Sequence, residues 1–116
     1  MKTFLAVFTG SPHAMDEWKS MDPAQREAKE KAGMEAWKGW VEEHQASIVD
    51  HGAPLGKTKR ISASGTADIR NNMGAYTVVR AESHEEAAKL FEQHPHFTIF
   101  PGDAVEVMEC LPMPGM

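Results

Sequence analysis

Cysteine is almost missing from this chain. The single Cys110 among 116 residues excludes an intrachain disulfide and suits a reducing compartment. Long apolar runs are missing as well. The longest, Phe4 to Phe8, falls far short of the roughly 20 residues of a membrane-spanning helix, and Pro12, His13, Asp16 and Glu17 follow too closely for a signal-peptide core. Basic charge is in deficit: 12 Lys and Arg stand against 17 Asp and Glu, a formal net charge of -5. That balance argues against nucleic-acid partners and anionic membranes, while leaving room for a local basic pocket around a small acidic ligand. The sequence holds no phosphate-binding glycine loop, no dinucleotide-binding glycine motif and no nucleophile elbow around a serine. Nucleotide-driven and serine-hydrolase mechanisms lose ground accordingly. The absences describe a cytoplasmic protein with neither nucleic acid nor membrane as partner.

The residues present describe one globular domain, 1–116. Its length suits a single core, and 41% hydrophobic with 25% charged residues is ordinary globular composition. No internal repeat stands out. Lys2 to Thr9 reads as a strand with apolar residues on both faces, hence covered on both sides, and Gly10-Ser11-Pro12 breaks it. Asp22-Pro23 signals a helix start, Asp as N-cap and Pro in the first turn. Met34, Trp37, Val41, His44 and Ile48 follow at three- and four-residue steps, one helix face, and the spacing predicts that this helix ends near His51-Gly52. Ala53 to Gly56 reads as a turn or bulged strand start. Lys57 to Ser64 reads as a weak polar edge strand, Gly65 to Gly74 as a polar connection, and Gly74 to Ala81 as the clearest strand. Ser83 with Glu86 forms a capping box, opening a second helix to about Gln93. Pro95 to Gly102 is a loop, and Asp103 to Leu111 is the last strand, with Val105, Val107 and Glu109 on one side.

The order strand, helix, strand, strand, helix, strand is the α+β ferredoxin-like βαββαβ pattern, a four-stranded antiparallel sheet with both helices on one face. The other face still carries apolar residues. A second copy is the simplest cover for it, so the sequence predicts a homodimer through the open sheet face.

Gly52-Ala53-Pro54-Leu55-Gly56, a polar hairpin, and then Gly74 to Ser83 with Glu85-Glu86-Ala87 together resemble the YCII-related family, including its DGPF-type members. His94-Pro95-His96, Gly102 and Ala104 to Val107 before a final Leu-Pro extend the resemblance over nearly the whole chain. The resemblance implies a dimeric α/β barrel and small-molecule lyase, dehalogenating or isomerase-like chemistry. The histidine–aspartate pair of some members does not transfer: no histidine stands between Glu35 and Trp37, and Ser64 to Asp68 occupies the place of Asp-Gly-Pro.

His94 and His96 are the candidate catalytic residues: two imidazoles two apart in a loop, beside phenylalanines that can wall an apolar pocket. Proline-stiffened capping of the neighbouring helix is the competing structural role. Asp68 joins them as a catalytic candidate. Arg70, Tyr76, Phe97 and Glu109 are the candidate substrate contacts, with Asp68 and Arg70 able to orient an acidic or carbonyl ligand or simply to form a solvated hairpin tip. His44, Trp37 and Trp40 read as packing or dimer residues. A lone His-x-His lacks a third ligand, so neither a metal nor another cofactor is expected. Two functions follow: an enzyme of lyase or isomerase type working next to a carbonyl, with a loop histidine as acid–base, or a non-catalytic ligand-binding or accessory homodimer. A metal-dependent oxygenase on the same fold is a third, resting only on scattered histidines.

Overall fold

The structure is a computed structural model describing residues 1–115. Strand β1, Lys2–Thr9, places Phe4, Ala6 and Phe8 on one face, each fully buried. Helix α1, Pro12–Ser20, follows at once. The Ser11 side chain accepts from the Ala14 amide and Pro12 occupies the first turn, so the segment expected to break the strand also opens a helix. Asp22 caps α2, Pro23–Glu43, by accepting from the Gln25 amide, as its sequence predicts. The end of α2 differs from expectation. A 3₁₀ turn, Gln45–Ser47, replaces its continuation, and Ile48–Pro54 is strand β2. Ile48 therefore belongs to the sheet, and Met34 is 60% exposed. The buried side of α2 runs through Trp40, with Trp37 and Val41 packed beside it.

Gly52 lies within β2 at φ 72°, where a Cβ would collide with the Tyr76 carbonyl. Its left-handed backbone makes a bulge rather than a helix cap. The polar segment expected as an edge strand is instead half of a separate two-stranded hairpin, β3 (Thr58–Ser62) with β4 (Gly65–Ile69). β5 (Met73–Ala81), α3 (His84–Lys89), the one-turn α4 (Pro95–Thr98) and β6 (Ala104–Glu109) complete the chain. The main sheet has the order β2-β5-β1-β6, and its pairings are antiparallel. This is the ferredoxin-like arrangement, with β2 taking the edge position assigned in sequence to Lys57–Ser64. Among the described residues, no helix is long and apolar enough to cross a membrane.

The core lies between the sheet and the helices: Phe4, Ala6, Phe8, Val79 and Ala81 below, Trp40, Ala87 and Phe91 above. The Trp40 indole donates to the Leu90 carbonyl at 2.7 Å, tying α2 to the end of α3. His84 stacks on Phe4 and bonds the Val107 carbonyl at 2.7 Å, fastening α3 to edge strand β6. On the opposite face Leu5 pairs with Val78 and Met108, and Val7 with Tyr76 and Glu106; no helix covers them. The β3–β4 hairpin projects from the body, and Ile61 is 75% exposed. The radius of gyration, 16.2 Å, exceeds the roughly 13 Å of a compact chain this long.

Trp40 is the residue on which the helix layer most depends. Trp40→Phe keeps the ring but leaves the Leu90 carbonyl without its donor and should cost about 1–3 kcal/mol; Trp40→Ala, which also opens a cavity, should cost about 3–5 kcal/mol. Urea unfolding followed by far-UV circular dichroism reads both.

Candidate functional site

His94-Pro95-His96 is the start of a helical turn rather than an irregular loop. His94 is the N-cap of α4, its Nδ1 accepting from the His96 amide at 3.0 Å, with Pro95 at the first position. The His94 ring is completely buried, its centroid 4.5 Å from that of Trp37, 4.7 Å from Trp40 and 5.0 Å from Phe8. Burial lowers its pKa from 6.5 to about 4, with the neighbouring charges of His96 and His44 adding to the effect. The ring is therefore neutral near pH 7. With Nδ1 accepting, Nε2 carries the proton, and Nε2 has no hydrogen-bond partner. His94 lines neither of the two main cavities; its place is in the core.

His96, two residues on, is oriented differently. Its Nε2 lies 2.7 Å from the Thr9 carbonyl. A carbonyl only accepts, so Nε2 donates and the neutral ring keeps its lone pair on Nδ1. His94 Nε2 is the sealed, unpartnered side-chain nitrogen among the described residues; His96 Nδ1 is not sealed. Gly102 packs flat on the ring, and a Cβ there would overlap Nε2, Cε1 and Cδ2. Its amide also donates to the His96 carbonyl at 2.9 Å. A residue without a side chain is thus required for His96 to reach Thr9.

His96 lines a cavity of about 530 Å³, within the size range of small-molecule sites. The cavity lies where β1 ends, α1 begins, β5 starts and the chain enters β6. Trp18, Met15 and Phe100 supply apolar wall; Lys19 and Arg70 supply positive charge. Asn71 pins the Arg70 segment, its Oδ1 accepting from the Met73 amide at 2.9 Å and its Nδ2 donating to Thr58 at 3.3 Å. The Gly10 amide donates to the Asn72 carbonyl at 2.9 Å, joining this segment to the end of β1.

Of the residues singled out in the sequence, the cavity gathers His96 and Arg70. Asp68 lies out on the hairpin, its Oδ1 2.7 Å from Lys59 Nζ, and is not part of the lining. Tyr76 stands on the open sheet face opposite Val7. Phe97 lines a second, shallower cavity of about 380 Å³ with His84, Phe91, Val105 and Val107. Glu109 lies 3.8 Å from Lys2 Nζ at the far end of β6. Trp37 and Trp40 enclose His94 in the core. Sequence reasoning missed the α1 contribution, Met15, Trp18 and Lys19; the signal was Ser11-Pro12, the same cap-plus-proline pattern as Asp22-Pro23. Among the described residues, no group of three or more His, Cys, Asp or Glu side chains is placed to hold a metal ion.

No protein-family model matches the chain, and the search of curated proteins gives no relative. A solved structure does match. It is 5-chloro-2-hydroxyhydroquinone dehydrochlorinase from Burkholderia phenoliruptrix AC1100, in complex with 2,5-dihydroxybenzoquinone. The TM-score is 0.53 at 19% identity, over 90% of this chain and 89% of that one. The likeness is one of fold: the present chain shares the α+β barrel-forming architecture of that enzyme.

Neutral burial of His94 makes stability depend on pH. Its folded pKa lies below its unfolded value, so the unfolded chain binds the proton more readily. The contribution is intact above pH 6.5 and is lost as pH falls toward 4. Between pH 7.5 and pH 5.0 this one group should remove about 2 kcal/mol. The measurement is a pair of urea titrations at those pH values, with His94→Gln as comparison; the variant should show a fall smaller by about that amount.

Proposed function

We propose that the chain binds a small organic molecule in the cavity beside His96, and that it is an enzyme of lyase or isomerase type in which His96 is the acid–base residue. The observation that carries this reading is the His96 ring itself. It is held by a backbone carbonyl on one side and a glycine on the other, and it lines a cavity that also holds an arginine. The structural neighbour's dehydrochlorinase activity and quinone ligand support the small-molecule class, as does the resemblance to the YCII-related family.

In the proposed step, Nδ1 of His96 takes a proton from a carbon next to a carbonyl. The electron pair left behind moves onto the carbonyl oxygen, giving an enolate that Arg70 stabilises as its charge develops. Elimination follows when the electrons return and expel a leaving group from the neighbouring carbon. Isomerisation follows when His96 returns its proton to a different carbon. The Thr9 carbonyl holds the ring in one tautomer and orientation.

A second reading, a ligand-binding or accessory dimer without turnover, rests on Asp68. Its pairing with Lys59 leaves His96 with no carboxylate partner within 4.0 Å among the described residues.

His96→Ala and Gly102→Ala separate the two readings. The first removes the base; the second pushes the ring off Thr9 while keeping it. In the enzyme, both variants should lose at least about a hundredfold in kcat with chlorinated hydroquinones and hydroxyquinones, scored by halide release, since general acid–base catalysis contributes about that much or more. Ligand-induced stabilisation with no turnover in any variant is the outcome that selects the binding protein.

The second part of the proposal is a homodimer through the open sheet face. Leu5, Tyr76, Val78 and Met108 contribute apolar surface there, and burial against an identical face removes it from water. Light scattering coupled to gel filtration should give twice the chain mass at micromolar concentration. Val78→Asp, which puts a charge at the centre of that face, should shift it to monomer.

A further inference from the structure

Arg70 and Lys19 are two cations without an ion pair that share one cavity. Lys59 is bound to Asp68 and Lys2 to Glu109; Arg80 donates to the Ala46 carbonyl and Arg26 to the Lys19 carbonyl. Neither Lys19 Nζ nor the Arg70 guanidinium has a carboxylate within 4.0 Å among the described residues. Both line the one cavity that holds His96. They come from distant parts of the sequence, Lys19 from the last turn of α1 and Arg70 from the exit of the hairpin. Each is kept in place by its backbone: Lys19 through Arg26, Arg70 through the hydrogen bonds of Asn71. In a protein of net charge -5, two unpaired cations at one cavity are a local reversal of sign. Asp16 is the one acid on the same wall and leaves the cations in excess.

The remainder of the wall fixes the shape of what fits. Trp18 and Phe100 lie with ring centroids 5.8 Å apart, and Met15 and Met73 add flexible apolar surface. A flat, partly apolar body can lie against these groups while its charged edge meets the cations.

We propose that the ligand of this cavity is an anion built on a ring, a carboxylate or ionised enol or phenol, with its charge held between Arg70 and Lys19 and its ring against Trp18 and Phe100. The assignment rests on the reading of the cavity as the ligand site and adds the charge and shape of what it takes. A guanidinium matches a carboxylate through two parallel N–H···O bonds and can also donate to a single enolate oxygen, whereas an ammonium supplies a point charge. Arg70 is therefore the geometric partner and Lys19 the electrostatic one. The charge bound in the ground state also lies beside the enolate that the proposed chemistry creates, so the same two cations serve both.

The experiment is isothermal calorimetry and thermal shift on the full chain with benzoate, its neutral isostere benzamide, and sulfate as an anion without a ring. Benzoate should bind and stabilise, benzamide and sulfate should bind at least about tenfold more weakly, and benzoate affinity should fall as salt is raised. Arg70→Gln should weaken benzoate roughly tenfold, with Arg70→Lys recovering only part of the loss, and Lys19→Gln a few-fold. Both side chains are exposed and make no ion pair, so the variants should keep the parent melting temperature. Benzamide binding as tightly as benzoate overturns the anion while leaving the cavity as a ligand site. Sulfate matching benzoate overturns the ring. Silence from both rings, with His96→Ala also unchanged in every assay, overturns the cavity reading itself.

Discussion

A neutral imidazole sealed in the core connects the packing of this protein to its candidate site. His94 lies between the sheet, through Phe8, and the helix layer, through Trp37, Trp40 and Phe91. Such a position tolerates a ring but not a charge, and the lowered pKa is the same fact in electrostatic terms. The ring has one polar task, accepting the His96 amide through Nδ1. That bond starts α4 and sets the direction in which residue 96 leaves the core. Nε2–H is left without an oxygen or nitrogen partner. The Trp37 ring stands at 89° to the imidazole, an edge-to-face packing typical of aromatic pairs. Replacing His94 by an apolar ring would fill the space but leave the His96 amide without its acceptor.

The site depends on this core from one side and on strand ends from the other. The Thr9 carbonyl receives both the Asp103 amide at 2.9 Å and the His96 ring at 2.7 Å, so the last residue of β1 both joins β6 and orients the imidazole. The pairing of β1 with β5 shifts register between Phe8 and Thr9, which separates the strand ends where the cavity lies. The rigid sheet therefore sets the positions of groups that, in sequence, lie in turns.

Much of this architecture was legible because it was written in local chemistry. β1 and β5 are dense in β-formers, Asp22-Pro23 marks the start of α2, and Ser83 caps α3 by accepting from the Glu86 amide at 3.1 Å. The parts that were not legible were decided by competition between signals. Ser11-Pro12 ends a strand and begins a helix with the same residues. The three- and four-residue steps of α2 continue into Ile48, which a strand equally accepts, so periodicity alone could not find the end at Glu43. β2 carries Gly52 and Pro54 and pairs irregularly, and it lacks the alternation that marks a strand. His94 and His96 were legible as a pair but not as opposites, since only tertiary packing assigns one to the core and the other to a cavity.

The separation of Asp68 from His96 bears on what chemistry this chain can perform. A histidine paired with a carboxylate becomes a stronger base because its protonated form is stabilised by a full charge. Here the partner is a carbonyl, which fixes the tautomer and orientation of the ring. The reaction proposed for it removes a proton already made acidic by an adjacent carbonyl or by an extended conjugated system. The cations at the cavity work in the same direction, since they favour the anion formed when such a proton leaves. That proposal is consistent in its parts: an oriented imidazole, an apolar wall for a flat body and positive charge for an enolate.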